Sequence, residues 1–156
     1  MSAQQPLVFV RDSEAVTREE LFVEMAQALG EVGAVAPTFL PALTDREEQF
    51  PTGLDFGQFA VAIPHIDAEH VCTPGLVVCR LATAVTFRAM DRHDHELLVR
   101  LTIWPLVIDP EQQVGLLGAC LRLLQVPGNY ELLQDGDAAE VAVLLRGALD
   151  TTYAPH

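Results

Sequence analysis

Residues 46–65 read REEQFPTGLDFGQFAVAIPH, and the parsing of this stretch decides the architecture around it. REEQ closes a helical pattern, and PTGL (51–54) has the composition of a turn. Phe59–Ile63 is an apolar run of strand character that stops at Pro64 and His65. A helix therefore feeds a strand through one tight turn. Upstream, TREE (17–20) spells a capping box, in which Thr17 accepts from the third amide and Glu20 reaches back. Leu21, Phe22, Met25, Leu29 and Val32 then share one helical face, and Gly33 is a natural stop. A second helix is predicted from Thr38, with Pro41 tolerated in its first turn and an end before Pro51. Two helices in succession with no strand between them argue against a regular βαβ repeat.

The middle of the chain is strand-rich. PLVFV (6–10), Gly75–Ala82, a short Val85–Phe87 and Leu97–Ile108 are dense in Val, Leu and Ile. DPEQQ (109–113) opens a helix with Asp109 as cap and Pro110 in the first turn. Its buried stripe is Leu116, Leu117, Cys120, Leu121 and Leu124, and PGN (127–129) ends it. DAAE (137–140) begins a last helix with Val141, Leu144, Leu145 and Leu149 inward. The pattern predicts an α/β fold, a mixed β-sheet flanked by helices on both faces. One domain over 1–156 is expected, with its ordered core at about 6–150 and loose ends at 1–5 and 151–156.

Composition limits the function. Hydrophobic residues are 50% of the chain and charged residues 20%, which favours a folded core over disorder. The formal charge of −13 argues against nucleic acid and anionic lipid as partners, since both require clustered positive charge. All nine basic residues are Arg, so no lysine Schiff base or P-loop lysine exists. Cys72, Cys79 and Cys120 form no C-x-x-C and fit reduced thiols, with Cys79 and Cys120 as small core residues. No basic leader precedes the first apolar run, and no stretch of about 18 apolar residues occurs. A cytoplasmic protein without membrane insertion is expected.

His65 is the first candidate for chemistry. A neutral imidazole is a usable nucleophile, and Pro64 displays it stiffly at a strand exit. Read alone, an X-Pro-His after a strand is more often a loop histidine. Arg46 is either a favourable cation near a helix C-terminus or a fork for phosphoryl oxygens. The Thr52 hydroxyl and the Gly53 turn could donate to the same phosphate.

Together these residues resemble a known family. REEQFPTGLDFGQFAVAIPH is similar to the active-site segment of phosphotransferase-system EIIA domains of the fructose–mannitol class, whose pattern is Arg-Glu, a Thr-Gly turn, then Ala-Ile-Pro-His. The resemblance runs in length and element order from TREELFVEMAQAL to EVAVLLRGAL. FPTGL joined to AVAIPHIDAEH most resembles the galactitol-type branch. It implies a phosphoryl carrier whose histidine takes phosphate from HPr and passes it to an EIIB subunit, alongside a membrane EIIC. Carried onto this chain, His65 is the acceptor and Arg46 orients the phosphate, with no cofactor or metal required.

One position departs from the pattern. Mannitol-type members carry a second histidine after the long strand, where this chain reads IDPEQQ and has Gln112. His70 is the candidate replacement, returned by the HIDAEH turn, and it is otherwise a solvated loop residue. Asp67 and Glu69 either orient one of these rings or are surface acids. DRHDH (91–95), with His93 and His95, reads as a polar loop between strands, and Trp104 as core. Two further readings stay open: a regulatory domain of the same shape read by a protein partner, and a small metal hydrolase using His65, His70, His93 and His95.

Overall fold

The computed structural model describes residues 6–153. Five strands form one mixed sheet in the order β1-β4-β5-β3-β2. They are β1 (Leu7–Ser13), β2 (Gly53–Asp55), β3 (Ala60–Ala62), β4 (Gly75–Arg88) and β5 (Glu96–Leu106). β1 runs parallel to β4 and β3 parallel to β5, while the β4–β5 and β2–β3 pairs are antiparallel. Helices α1 (Arg18–Glu31) and α2 (Phe39–Gln49) cover one face. Helices α3 (Gln113–Gln125), α4 (Asn129–Asp135) and α5 (Ala138–Tyr153) cover the other. This is the mixed sheet with helices on both faces that the residue pattern predicts.

Alternation divides the strands between two cores. Val77 and Cys79 pack with Phe22, Met25, Phe39 and Leu43 under α1 and α2. Leu76 and Val78 pack with Leu116, Cys120, Val141 and Leu145 under α3 and α5. Phe22 meets Trp104 edge-on, with centroids 5.7 Å apart. The Trp104 indole N–H donates to the buried Thr102 hydroxyl at 2.8 Å, and that hydroxyl donates to the Cys79 carbonyl at 3.2 Å. The Trp104 indole N–H and the Thr102 hydroxyl taken into this core therefore both have partners. Cys79 and Cys120 are buried, and burial pushes both thiols up to about 12.

The structure corrects the sequence reading at several element boundaries. Gly75–Ala82 and Val85–Phe87 are one strand of 14 residues, interrupted by a register shift. β4 advances five residues from Arg80 to Val85 while β5 advances two, from Leu101 to Val99. The odd surplus reverses the facing parity on β5. Leu101 and Ile103 point to the α3–α5 side, whereas Leu97 and Val99 point to the α1–α2 side. The outer half of the hairpin consequently curls over, and Ala89 bridges to Gly53 at the far side of the sheet. The Met90 N–H donates to the Gly53 carbonyl at 2.8 Å. A Cβ at Gly53 would sit 2.6 Å from the Arg88 carbonyl oxygen, so only glycine permits this approach.

Other departures are smaller. Val32 is 58% exposed rather than part of the α1 stripe, because the helix ends at Glu31 and Gly33 takes a φ of +73°. Glu20 accepts from the Val16 amide, while its own amide donates to Thr17 Oγ1 at 3.1 Å. PTGL contributes the short strand β2. DPEQQ forms a 3₁₀ turn, Pro110–Gln112, that leads into α3. On α3, Leu117 and Leu121 are only partly buried, and Ala119 and Leu123 join the inward face. PGN does end α3, but Gly128, at φ +90°, starts the seven-residue α4. Residues 151–153 belong to α5, while 1–5 and 154–156 lie outside the described residues.

Candidate functional site

β3 and β5 run parallel, so both leave the sheet at the same end. There Pro64 turns the chain out of β3 and His65 stands half-buried beyond it. His65 Nδ1 lies 2.7 Å from the Ile63 carbonyl oxygen. A carbonyl can only accept, so Nδ1 carries the hydrogen and the lone pair is left on Nε2. Burial holds the ring's pKa below the ordinary histidine value. The Ile63 hydrogen bond opposes that shift, Arg46 assists it and Asp67 opposes it. The result is an imidazole kept neutral, with one nitrogen anchored and the other free to react.

Arg46 lies in the last turn of α2 and is 29% exposed. Its Nη1 donates to Asp67 Oδ1 at 3.2 Å, and the guanidinium sits 5.7 Å from the Phe50 ring centroid. Its Nε is buried with no hydrogen-bond partner among the described residues. A guanidinium offers five donors, and this one retains capacity for an anion. The 3₁₀ turn Ala68–His70 brings His70 back, and its Nδ1 lies 2.8 Å from Thr38 Oγ1. Glu69 Oε1 is 3.7 Å from His70 Nε2. Arg46, Asp67 and His70 line a shallow hollow of about 260 Å³ with Phe50 and Ile66. His65 is not on that lining; the charges of Arg46 and Asp67 reach it electrostatically.

Thr52 and Gly53 have different surroundings from those the sequence suggests. The Thr52 N–H donates to Glu47 Oε2 at 2.8 Å, and its hydroxyl donates to Glu47 Oε1 at 2.8 Å. Thr52 and Glu47 are each 2% exposed. Gly53 is pressed against the Arg88 backbone. The donors of Thr52 are thus engaged inside the protein. Gln112 is half-buried at the start of α3, beyond the end of β5. His93 and His95 are exposed in the β4–β5 turn. Among the described residues no group of three His, Cys, Asp or Glu is placed to hold a metal ion, so a hydrolase on His65, His70, His93 and His95 lacks a ligand set there. A larger cleft of about 450 Å³ lies beside the stacked Phe56, Phe59 and Tyr130. No basic side chain lines it, which disfavours it as a phosphate site.

Sequence reasoning missed Glu47 and Thr38. A signal for Glu47 was present, because Phe39, Leu43 and Glu47 recur every fourth residue and all three are buried. Burial raises the Glu47 pKa, against the hydrogen bonds from Thr52 and the charges of Arg18 and Arg46. Thr38 gave no signal beyond its helix-start position. Among the described residues no helix is long and apolar enough to cross a membrane.

A family model described as the phosphoenolpyruvate-dependent sugar phosphotransferase system, EIIA 2, matches residues 2–146. Over 127 residues the chain is 35% identical to the PTS system galactitol-specific EIIA component of Escherichia coli strain K12, covering 81% of this chain and 84% of that protein. The fold is similar to the NMR structure of the complex of enzyme IIAMTL and phosphorylated enzyme IIBMTL from Escherichia coli. The TM-score is 0.69 at 26% identity, over 90% of this chain and 99% of that one. The crystal structure of nitrogen regulatory protein IIA-Ntr from Neisseria meningitidis is similar with a TM-score of 0.66 at 25% identity, over 88% and 92% of the two chains.

Proposed function

This chain belongs to the EIIA 2 family of the phosphoenolpyruvate-dependent sugar phosphotransferase system, and from that premise we propose that His65 Nε2 is its phosphoryl acceptor. The proposed protein is a cytoplasmic carrier that takes phosphate from HPr and hands it to a cognate EIIB. The galactitol-specific relative supports a galactitol-type system. A solved relative in complex with phosphorylated EIIB supports the choice of acceptor. The observation that carries the reading is the His65 ring, anchored through Nδ1 to the Ile63 carbonyl with Nε2 left unprotonated.

In the forward step the Nε2 lone pair attacks the phosphorus of phospho-HPr, and the donor nitrogen–phosphorus bond breaks in line with it. The transferring group is metaphosphate-like, with charge on its equatorial oxygens, so the protein's contribution is position and charge. Arg46 supplies the charge through its unpaired donors, with Asp67 holding the guanidinium. The phosphorylated ring is cationic, and the Nδ1–H to Ile63 bond stabilises it. His70, held by Thr38 in the hollow it shares with Arg46, is proposed to donate to a phosphoryl oxygen, in place of the second histidine that the family resemblance implies where this chain has Gln112. Transfer to EIIB reverses these steps. Phosphate contacts from Thr52 and Gly53 receive less support, because Glu47 holds both Thr52 donors.

The test is incubation with phosphoenolpyruvate, enzyme I and HPr, followed by intact-mass measurement. One acid-labile phosphoryl group is expected, and none after His65→Ala. Incorporation that survives His65→Ala sinks the assignment. Arg46→Ala should slow transfer by roughly a hundredfold or more, as removal of a preorganised donor does elsewhere, while leaving the circular dichroism spectrum unchanged. The similarity to a nitrogen regulatory protein supports a second reading, phosphorylation read by a protein partner without transport. Failure of the phosphorylated protein to pass its label to the cognate EIIB would select it.

A further inference from the structure

We infer that Glu47 is a positioning residue for phosphoryl transfer, setting the His65 ring through Thr52 and Ile63 while its neighbour Arg46 meets the phosphate. The inference rests on the reading of His65 as acceptor. Among the described residues Glu47 is the one buried charged side chain. A carboxylate is costly to bury, and an apolar residue would complete the Phe39–Leu43 stripe equally well. What the carboxylate adds is direction. It takes the Thr52 N–H and hydroxyl at 2.8 Å each and so fixes the turn between α2 and β2. The Thr52 carbonyl then accepts from the Ile63 N–H at 3.2 Å, and the Ile63 carbonyl accepts from His65 Nδ1 at 2.7 Å.

Successive bonds in this chain use different peptide groups: Thr52 gives its N–H to Glu47 but its carbonyl to Ile63. Conjugation through one peptide does not link them, so the chain transmits position rather than charge. Its other end is rigid, because Arg46 and Glu47 are consecutive in α2. One buried side chain thus fixes both the phosphate fork and the acceptor ring. Reaction rates are sensitive to such placement, at about a hundredfold for a 1 Å error.

The test reads the His65 tautomer by ¹⁵N NMR of the full chain and, separately, the steady-state kinetics with phospho-HPr. Wild-type His65 should show the Nδ1–H form. Glu47→Ala and Thr52→Ala should each mix the two tautomers and lower kcat roughly tenfold or more, with KM for HPr within about twofold. Glu47→Gln should restore most of both readouts, since its amide oxygen can take the Thr52 N–H and its NH₂ can donate to the Thr52 hydroxyl. Thr52→Ser should do the same. An unchanged tautomer and rate in folded Thr52→Ala would overturn the inference, and so would a mixed tautomer at full rate. If Glu47→Ala does not fold, Thr52→Ala decides. Failure of the acceptor reading would show separately, as phosphate incorporated in His65→Ala, with the tautomer result still legible.

Discussion

At His65 the two ring nitrogens live in different surroundings, and pH should distinguish them. Protonation removes the Nε2 lone pair, so under the proposed function phosphoryl acceptance should fall on acidification. Burial and Arg46 hold the folded pKa below the ordinary value of about 6.5. The NMR titration midpoint of His65 should therefore lie below that value, and the initial rate of phosphorylation at pH 6.5 should exceed half its plateau. A midpoint above 6.5 would contradict the burial argument. Because the folded pKa is depressed, the contribution of His65 to stability is complete above the unfolded value. It is lost as pH falls toward the folded one. Glu47 has the opposite sign. Its folded pKa is raised above 4.5, so the stability it supplies is present below that value and is lost as pH rises through the folded pKa. Glu47→Gln removes this term, and its urea midpoint at pH 7 should equal or exceed wild type. A much lower midpoint would mean that the carboxylate's hydrogen bonds outweigh its desolvation.

Among the elements, the β4–β5 hairpin was the least legible. Gly53 is where its curled end meets β2, and a methyl group there collides with the Arg88 backbone. Gly53→Ala should cost about 1–3 kcal/mol, the usual range for forced overpacking, measured by urea denaturation. A loss smaller than that range would mean that the hairpin moves aside cheaply. In the sequence the two halves of β4 read as separate strands, because the extra residues between Arg80 and Val85 break the period of two on which strand recognition depends. Nothing local announces that their odd number turns the outer half of β5 toward α1 and α2. The candidate site was legible where geometry is local. Pro64 marks the strand exit, and Arg46, the Thr-Gly turn and Ile-Pro-His follow one another in a short span. Glu47 was not, because a Glu in a run of acids reads as solvated, and its burial depends on Thr52 folding back beneath it. Helix α4 escaped because Pro127 and Gly128 signal an end, and seven residues carry too little periodicity to signal a restart.

For the whole molecule, the net charge of −13 governs encounter more than chemistry. A basic donor would be steered in quickly at low salt, where opposite charge can lift association from about 10⁵–10⁶ toward 10⁸–10⁹ M⁻¹s⁻¹. The apparent KM for HPr should therefore rise with added NaCl, with kcat nearly constant, in a steady-state transfer assay. A salt-independent KM would mean that docking is apolar and that the acidic surface serves solubility alone.

The two margins of the sheet are unequal, and this bears on self-association. β2 offers three residues, and its first carbonyl is already taken by Met90, so it is a poor template for an added strand. β1 is seven residues long and, among the described residues, pairs with β4 alone. Of the two margins it is the one where a second chain could extend the ladder. Arg11 and Asp12 stand on it, bound to Glu24 and Arg80 respectively, and charges on an edge strand discourage such templating. The two margins are thus guarded by different devices, brevity at one and charge at the other.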